Sequence, residues 1–187
     1  MESLILDTRR ALILDRDGVI NIDHGYVHRP EQCEFVDGIF DMARAFAARG
    51  YLIVIATNQA GIGRGLYGEA DFQSFMDWMK QKFREQDLEI AAVYHCPDHP
   101  TAGIGAYRRE NSWRKPGPGM LLQAAKDLNL DLGESWCVGD KMSDIEAAQA
   151  AGVGTTVLLD PTGATTEDTS DFWRIAKLTD VLKLLKR

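Results

Sequence analysis

Cysteine is scarce: the 187 residues hold three, Cys33, Cys96 and Cys137. An odd count at wide spacing excludes a disulfide framework and fits a reducing compartment. No apolar run approaches the roughly 18 residues that a membrane-spanning helix needs; Leu52–Ala56 is typical of the longest. The opening MESLILDTRR lacks a signal-peptide layout, because Asp7 interrupts its short apolar stretch and two arginines follow. A cytoplasmic location is expected. Positive charge is short as well: 21 Lys and Arg against 28 Asp and Glu leave a net charge of −7. That deficit argues against broad binding to nucleic acid or to an anionic membrane surface. A small anionic substrate stays compatible, given a local group of cations or a metal. Repeats and low-complexity linkers are absent. With 45% hydrophobic and 26% charged residues, the chain has a globular composition, and disorder as its main state is excluded. The length suits one domain, here taken as 1–187 with 1–10 as an N-terminal tail. A monomer is expected, since no exposed apolar stripe stands out.

Short β-type runs alternate with helical stretches. Ala11–Asp15, Tyr51–Ala56, Ile90–Tyr94, Trp136–Val138 and Thr155–Leu159 are brief, apolar on both faces and partly β-branched, as buried parallel strands are. Helical patterns occupy 37–49, closed by Gly50, then 69–86, 117–129 and 144–151, closed by Gly152. The second carries Phe72, Phe75, Met76 and Met79 on one stripe. Leu178 to Lys186 reads as a short closing helix, and 160–170 as a polar surface loop. The alternation predicts an α/β fold: a three-layer α/β/α, Rossmann-like arrangement around a central, mostly parallel, five-stranded sheet. Two stretches without regular pattern, 16–36 and 95–116, are long for connections and are therefore functional candidates.

Ligands of an open α/β sheet bind beyond the carboxyl ends of its strands. Asp15–Gly18 follows the first run and Thr57–Gln59 the second; Arg114–Pro116 ends the loop after the third, and Gly139–Asp144 follows the fourth. Four separate segments thus bring carboxylates, a hydroxyl and cations to one rim. Asp15 and Asp17, two apart at a strand end, project to one side. With Asp140 they make a hard oxygen site suited to Mg²⁺, which takes a few carboxylates plus water and phosphate. One aspartate can attack phosphorus. The other can protonate the leaving oxygen and later activate water. Thr57 and Lys115 can hold the equatorial phosphoryl oxygens. This inventory suffices for phosphate-ester hydrolysis. An EF-hand reading of Asp15–Asp17 fails, because Val19 stands at the third ligand position and no Glu closes the loop.

The set resembles the haloacid dehalogenase (HAD) superfamily of phosphohydrolases: Asp15-x-Asp17-Gly18, Thr57, Lys115 and Gly139-Asp140-x₃-Asp144 fall in the family's order. A closer resemblance is to the D-glycero-D-manno-heptose-1,7-bisphosphate 7-phosphatases, with the histidinol-phosphate phosphatases as near relatives. It rests on LDRDGVIN (14–21), DHGYVH (23–28), FVDG (35–38), TNQAGIGRG (57–65), CPDHP (96–100), RKPGPGML (114–121) and VGDKMSD (138–144). The resemblance implies Asp15 as nucleophile, Asp17 as general acid and base, and Thr57 and Lys115 on the transferring phosphoryl group. It implies Mg²⁺ on Asp15, the Asp17 carbonyl and Asp140. Substrate contacts would come from Asp23, His24, Gly25, Tyr26, Asn58, Gln59, Ala60, Arg114 and Lys141, with Arg114 reading the distal phosphate or the sugar. The implied substrate is a sugar bisphosphate cleaved at C7, within the supply of nucleotide-activated heptose for surface polysaccharide. The implied fold is capless, since 187 residues leave no room for a large cap.

Many of these relatives hold a structural zinc in the third loop, on a Cys-x-His pair and a Cys-x-Cys pair. Here Cys96 is in place, the His position is Asp98 with His99 beside it, and the two later Cys positions are Asn111 and Trp113. That ligand count argues against zinc; His95, Cys96 and His99 are what is left, and packing of Tyr107 and Trp113 is expected to hold the loop. Asp144 can cap a helix at 145–151, and in the family this aspartate orients the lysine. Gly63–Gly68 fits GxGxxG, but its first glycine lies past the strand end, so a flexible substrate loop is expected there in place of a dinucleotide site. Histidinol phosphate is the alternative substrate. A nucleic-acid 3′-phosphatase module is a further alternative, disfavoured by the acidic balance.

Overall fold

The computed structural model describes residues 8–163 and 166–186. Seven strands form one sheet: β1 (Arg10–Leu14), β2 (Tyr51–Asn58), β3 (Ile90–Cys96), β4 (Trp136–Gly139), β5 (Thr155–Leu159), β6 (Glu167–Asp168) and β7 (Trp173–Ile175). Their spatial order is β3-β2-β1-β4-β5-β7-β6, parallel throughout except for the β6–β7 pair. The five expected strands are β1 to β5, contiguous from the β3 edge. The expected count of five was two short, because β6 and β7 carry only two and three residues, too few to leave a periodic signal. Trp173–Ile175 pairs with Val157–Leu159, and Glu167–Asp168, inside the 160–170 stretch that reads as a polar loop, pairs with β7 in turn.

Each strand alternates its side chains between two faces. Leu12, Leu14, Ile53, Ile55, Val138, Val157 and Leu159 enter one core with α1 (Ile39–Ala47), α3 (Glu69–Arg84) and α6 (Val181–Leu184). Ala11, Ile13, Val54, Ala56 and Cys137 enter the other with α4 (Gly119–Leu128) and α5 (Met142–Ala151). The two cores on opposite faces are the three layers that strand–helix alternation predicts. The aromatic and methionine stripe of α3 is fully committed: Phe72, Phe75, Met76, Met79 and Phe83 are all buried.

Two local expectations change. The N-terminal tail expected at 1–10 is shorter, since Arg10 already starts β1 and Arg9 bridges to Leu130; residues 1–7 lie outside the described residues. After β2 the chain turns once as α2 (Ala60–Gly63), with Gly61, Ile62 and Gly63 buried, and the non-helical connection expected at Gly63–Gly68 follows it, mostly exposed. And α5 begins at Met142, so Asp144 is its third residue, not its N-cap; its Oδ2 accepts the Lys141 backbone N–H at 3.0 Å.

Candidate active site

The chain turns back on its strand order at β1, which has β2 on one side and β4 on the other. This is the topological switch point, where splayed connections leave a crevice. Asp15 leaves β1 there, its backbone N–H donating to Val138 of β4 at 3.1 Å. Asp140 leaves β4 beside it. Gly18, at φ +94°, lets the returning chain lie against Asp140: a Cβ would sit 2.2 Å from its Oδ2.

Lys115 is buried and spends its ammonium on three acceptors: Ala56 O at 2.8 Å, Asp15 Oδ1 at 3.0 Å and Asp144 Oδ1 at 2.6 Å. Burial alone would push its pKa down, but the Asp15 and Asp144 carboxylates outweigh burial and hold it well above the usual lysine value. The Asp15 Oδ1 also accepts the Arg16 N–H at 2.8 Å, so one oxygen of Asp15 is tied down twice and the carboxylate cannot spin. Asn58 grips the Lys115 main chain from both sides, donating to its carbonyl at 3.1 Å and accepting its N–H at 3.0 Å.

Asp15, Asp140 and Asp144 each present an oxygen within 4.8 Å of the others. Burial, and then the Asp15 charge, push the Asp140 carboxyl up to about 7, and its buried Oδ1 has no hydrogen-bond partner among the described residues. Lys141 offsets only the Oδ2 side of this carboxylate, and the unpaired Oδ1 suits a bound cation. Hard oxygens in this number fit Mg²⁺.

Asp17 is held apart from this group. Arg16, fully buried, donates to it from Nη2 at 2.7 and 2.8 Å, Asn21 Nδ2 donates at 3.0 Å, and Gln59 Nε2 at 3.0 Å. Gln59 Nε2 also reaches Thr57 Oγ1 at 2.9 Å. Arg16 went unnoticed in the sequence: a charge between two aspartates reads as a solvated neighbour, and only the tertiary fold shows it buried between Asp17 and the Val27 carbonyl.

A cleft of about 640 Å³ opens over these groups. Of the residues singled out from the sequence, it is lined by Asp15, Asp17, Asp23, Gly25, Tyr26, Asn58, Gln59, Ala60, Arg114, Lys115 and Lys141. Thr57 lies buried just beneath, on Gln59. Lys141 reaches Asp23 Oδ2 at 3.3 Å and Asp140 Oδ2 at 3.6 Å. His24 is not brought to the cleft; it lines a separate hollow and faces Glu34 Oε2 at 3.4 Å. Asn58 and Gln59 line the cleft, but their amides are spent on Lys115, Asp17 and Thr57. Ser143 also lines the cleft; it sits inside the Gly139–Asp144 motif and could have been named from it.

The third loop is tied by its own side chains. Asp98, fully buried, accepts from Arg109 Nε at 2.7 Å and from Asn111 Nδ2 at 2.6 Å. Asn111 Oδ1 accepts the Trp113 N–H at 2.9 Å, and Arg114 Nη1 donates to the Asp98 carbonyl at 3.2 Å. Trp113 packs edge-on to Tyr94, and Tyr107 packs against the α3-side core. His95 is engaged with Glu69 at 2.8 Å, while His99 Nδ1 takes the N–H groups of Thr101 and Ala102.

The comparisons with known proteins agree with this geometry. A family model described as HAD-hydrolase-like matches residues 112–185. The chain is 57% identical, over 80% of its length and 79% of the relative's, to a D-glycero-alpha-D-manno-heptose-1,7-bisphosphate 7-phosphatase of Burkholderia mallei. It is 42% identical, over 95% of both chains, to a D-glycero-beta-D-manno-heptose-1,7-bisphosphate 7-phosphatase of Salmonella typhi. Among solved structures, a HAD-like phosphatase from Mesorhizobium loti superposes with TM-score 0.86 at 32% identity, covering 96% of this chain and 85% of that one. A D,D-heptose 1,7-bisphosphate phosphatase from B. bronchiseptica, complexed with magnesium and phosphate, superposes with TM-score 0.78 at 28% identity, covering 95% and 98%. The chain belongs to the heptose-1,7-bisphosphate 7-phosphatase family of HAD-like hydrolases.

Proposed function

We propose that this chain is a Mg²⁺-dependent phosphoric monoester hydrolase that removes the C7 phosphate of D-glycero-D-manno-heptose 1,7-bisphosphate, serving nucleotide-activated heptose supply. The observation that carries the reading is the Asp15–Lys115–Asp144 contact beside Asp140 at the floor of a cleft that also holds Arg114 and Lys141. It acts as a single capless domain, as a monomer, in the cytoplasm. Among the described residues no helix is long and apolar enough to cross a membrane.

Asp15 attacks phosphorus, forming an Asp15 phosphoanhydride as the P–O bond to C7 breaks. Asp17 gives a proton to the departing C7 oxygen, its carboxyl positioned by Arg16, Asn21 and Gln59. It then takes a proton from water, which attacks the phosphoanhydride and releases inorganic phosphate. Thr57 and Lys115 hold the equatorial oxygens while charge redistributes. Asp15, Asp140 and the Asp17 carbonyl would hold Mg²⁺, which would offset the repulsion between the Asp15 carboxylate and a phosphate dianion. Asn58 sets the Lys115 backbone, and Arg114 and Lys141 take the distal phosphate or the sugar hydroxyls, where a guanidinium can pair two oxygens at once.

The test is phosphate release with Mg²⁺ from both anomers of the heptose bisphosphate, histidinol phosphate and a DNA 3′-phosphate, with Asp15→Asn as control. A heptose anomer should lead by about 100-fold in kcat/KM, or about 2.7 kcal/mol. Equal turnover of histidinol phosphate overturns the substrate; activity retained by Asp15→Asn overturns the mechanism.

A further inference from the structure

Tyr67 is buried, sits within the Gly63–Gly68 stretch, lines the cleft, and takes no part in the chemistry above. Its hydroxyl donates to Gln59 Oε1 at 2.5 Å. The opposite end of the same amide, Nε2, donates to Asp17 Oδ2 and to Thr57 Oγ1. We propose that Tyr67 is a positioning residue for phosphoryl transfer: its hydroxyl fixes which way the Gln59 amide faces, and through Gln59 it sets both Asp17 and Thr57.

The physical case rests on the two unlike ends of an amide. Turned over, Gln59 would present its carbonyl oxygen to the Asp17 carboxylate, placing two acceptors together, and would take the Thr57 hydroxyl hydrogen for itself. A hydroxyl donor on the other side pins the carbonyl there and leaves the NH₂ for Asp17 and Thr57. Once Thr57 Oγ1 accepts from Gln59, its own hydrogen is free for a phosphoryl oxygen. Two features keep the ring in place. His28 stacks on it with centroids 4.5 Å apart and planes 6° apart, and His28 is itself held by the Tyr26 carbonyl at 2.7 Å. Gly61 supplies the room: a Cβ there would sit 2.2 Å from a Tyr67 ring carbon. Burial raises the hydroxyl's pKa to about 12, so it remains a donor at any working pH.

This proposal rests on the phosphatase reading, and its experiment separates the two. Tyr67→Phe removes one oxygen and keeps the stacked ring. In the full-length chain with Mg²⁺ and the preferred bisphosphate, kcat should fall about 10-fold, the scale of one lost buried hydrogen bond, with KM changed less than twofold. In a Gln59→Leu background the same substitution should change kcat less than twofold, since the effect travels through Gln59. Gly61→Ala, which displaces the ring by other means, should lower kcat in the same way. Wild-type kcat in Tyr67→Phe overturns the proposal, as does an equal fall with or without Gln59, even if melting temperature drops. An inactive wild type would overturn the phosphatase reading itself.

Discussion

Replacing Asp98 by alanine should loosen the loop that delivers Arg114 and Lys115 to the cleft. The carboxylate is wholly buried and accepts from Asn111 and Arg109. The Asn111 bond, made to a charged acceptor away from water, is worth about 1.5–2 kcal/mol. The Arg109 side chain is 64% exposed, so its bond adds only about 0.5 kcal/mol. Against this, Asp98 Oδ1 is buried with no hydrogen-bond partner among the described residues, and alanine relieves that cost. Allowing about 1 kcal/mol for that relief, the net loss is about 1–1.5 kcal/mol. For a chain of this size, that is about 2–6 °C in melting temperature. Urea melts of Asp98→Ala, Asn111→Ala and the double variant would measure it, with a coupling of about 1.5 kcal/mol between the two sites. Because Arg114 donates to the Asp98 carbonyl, KM for the bisphosphate should rise as well. A loss under about 0.5 kcal/mol, or two effects that simply add, would refute the claim that this side-chain clasp holds the loop.

Asp140→Asn should raise the melting temperature of the metal-free protein, since it removes one of three crowded carboxylates. It should also abolish the upward shift that millimolar Mg²⁺ gives the wild type; a retained shift would move the metal elsewhere. Arg16→Met should cost about 3 kcal/mol by denaturant titration, because it strips a partly buried Asp17 of its guanidinium. Arg114→Ala should raise KM about 10-fold for the bisphosphate and leave the corresponding 7-monophosphate within twofold, a split that steady-state kinetics reads directly.

The central fold was legible because its strands are short apolar runs between helices, and that pattern survives any packing. The polar residues at the strand ends were legible for the same reason: Asp15, Thr57 and Asp140 sit where a switch point puts ligands. The supporting polar shell was not. Arg16, Gln59 and Tyr67 owe their roles to partners far along the chain or to burial, and no local pattern marks either. The family resemblance makes Asn58 and Gln59 substrate contacts; they line the cleft, yet their amides turn inward to catalytic residues. His24 lies in the right motif and faces Glu34 instead, since a motif fixes where the main chain goes and not where each side chain turns. The β6–β7 edge carries too few residues for any periodicity to show.

The sheet order has a consequence for the timing of activity. Asp15 and Thr57 emerge early in synthesis, on β1 and β2, which can pair with little chain between them. Asp140 arrives on β4, which must pair with β1 across all the chain that forms β2, β3 and their connections. Closing that distant pairing is the slow, entropically costly kind of step. A nascent or half-folded chain thus carries its nucleophile without the partner that completes the acidic group. Phosphate release is therefore a reporter of the last central strand locking in, and its recovery during refolding should lag behind the return of helical signal.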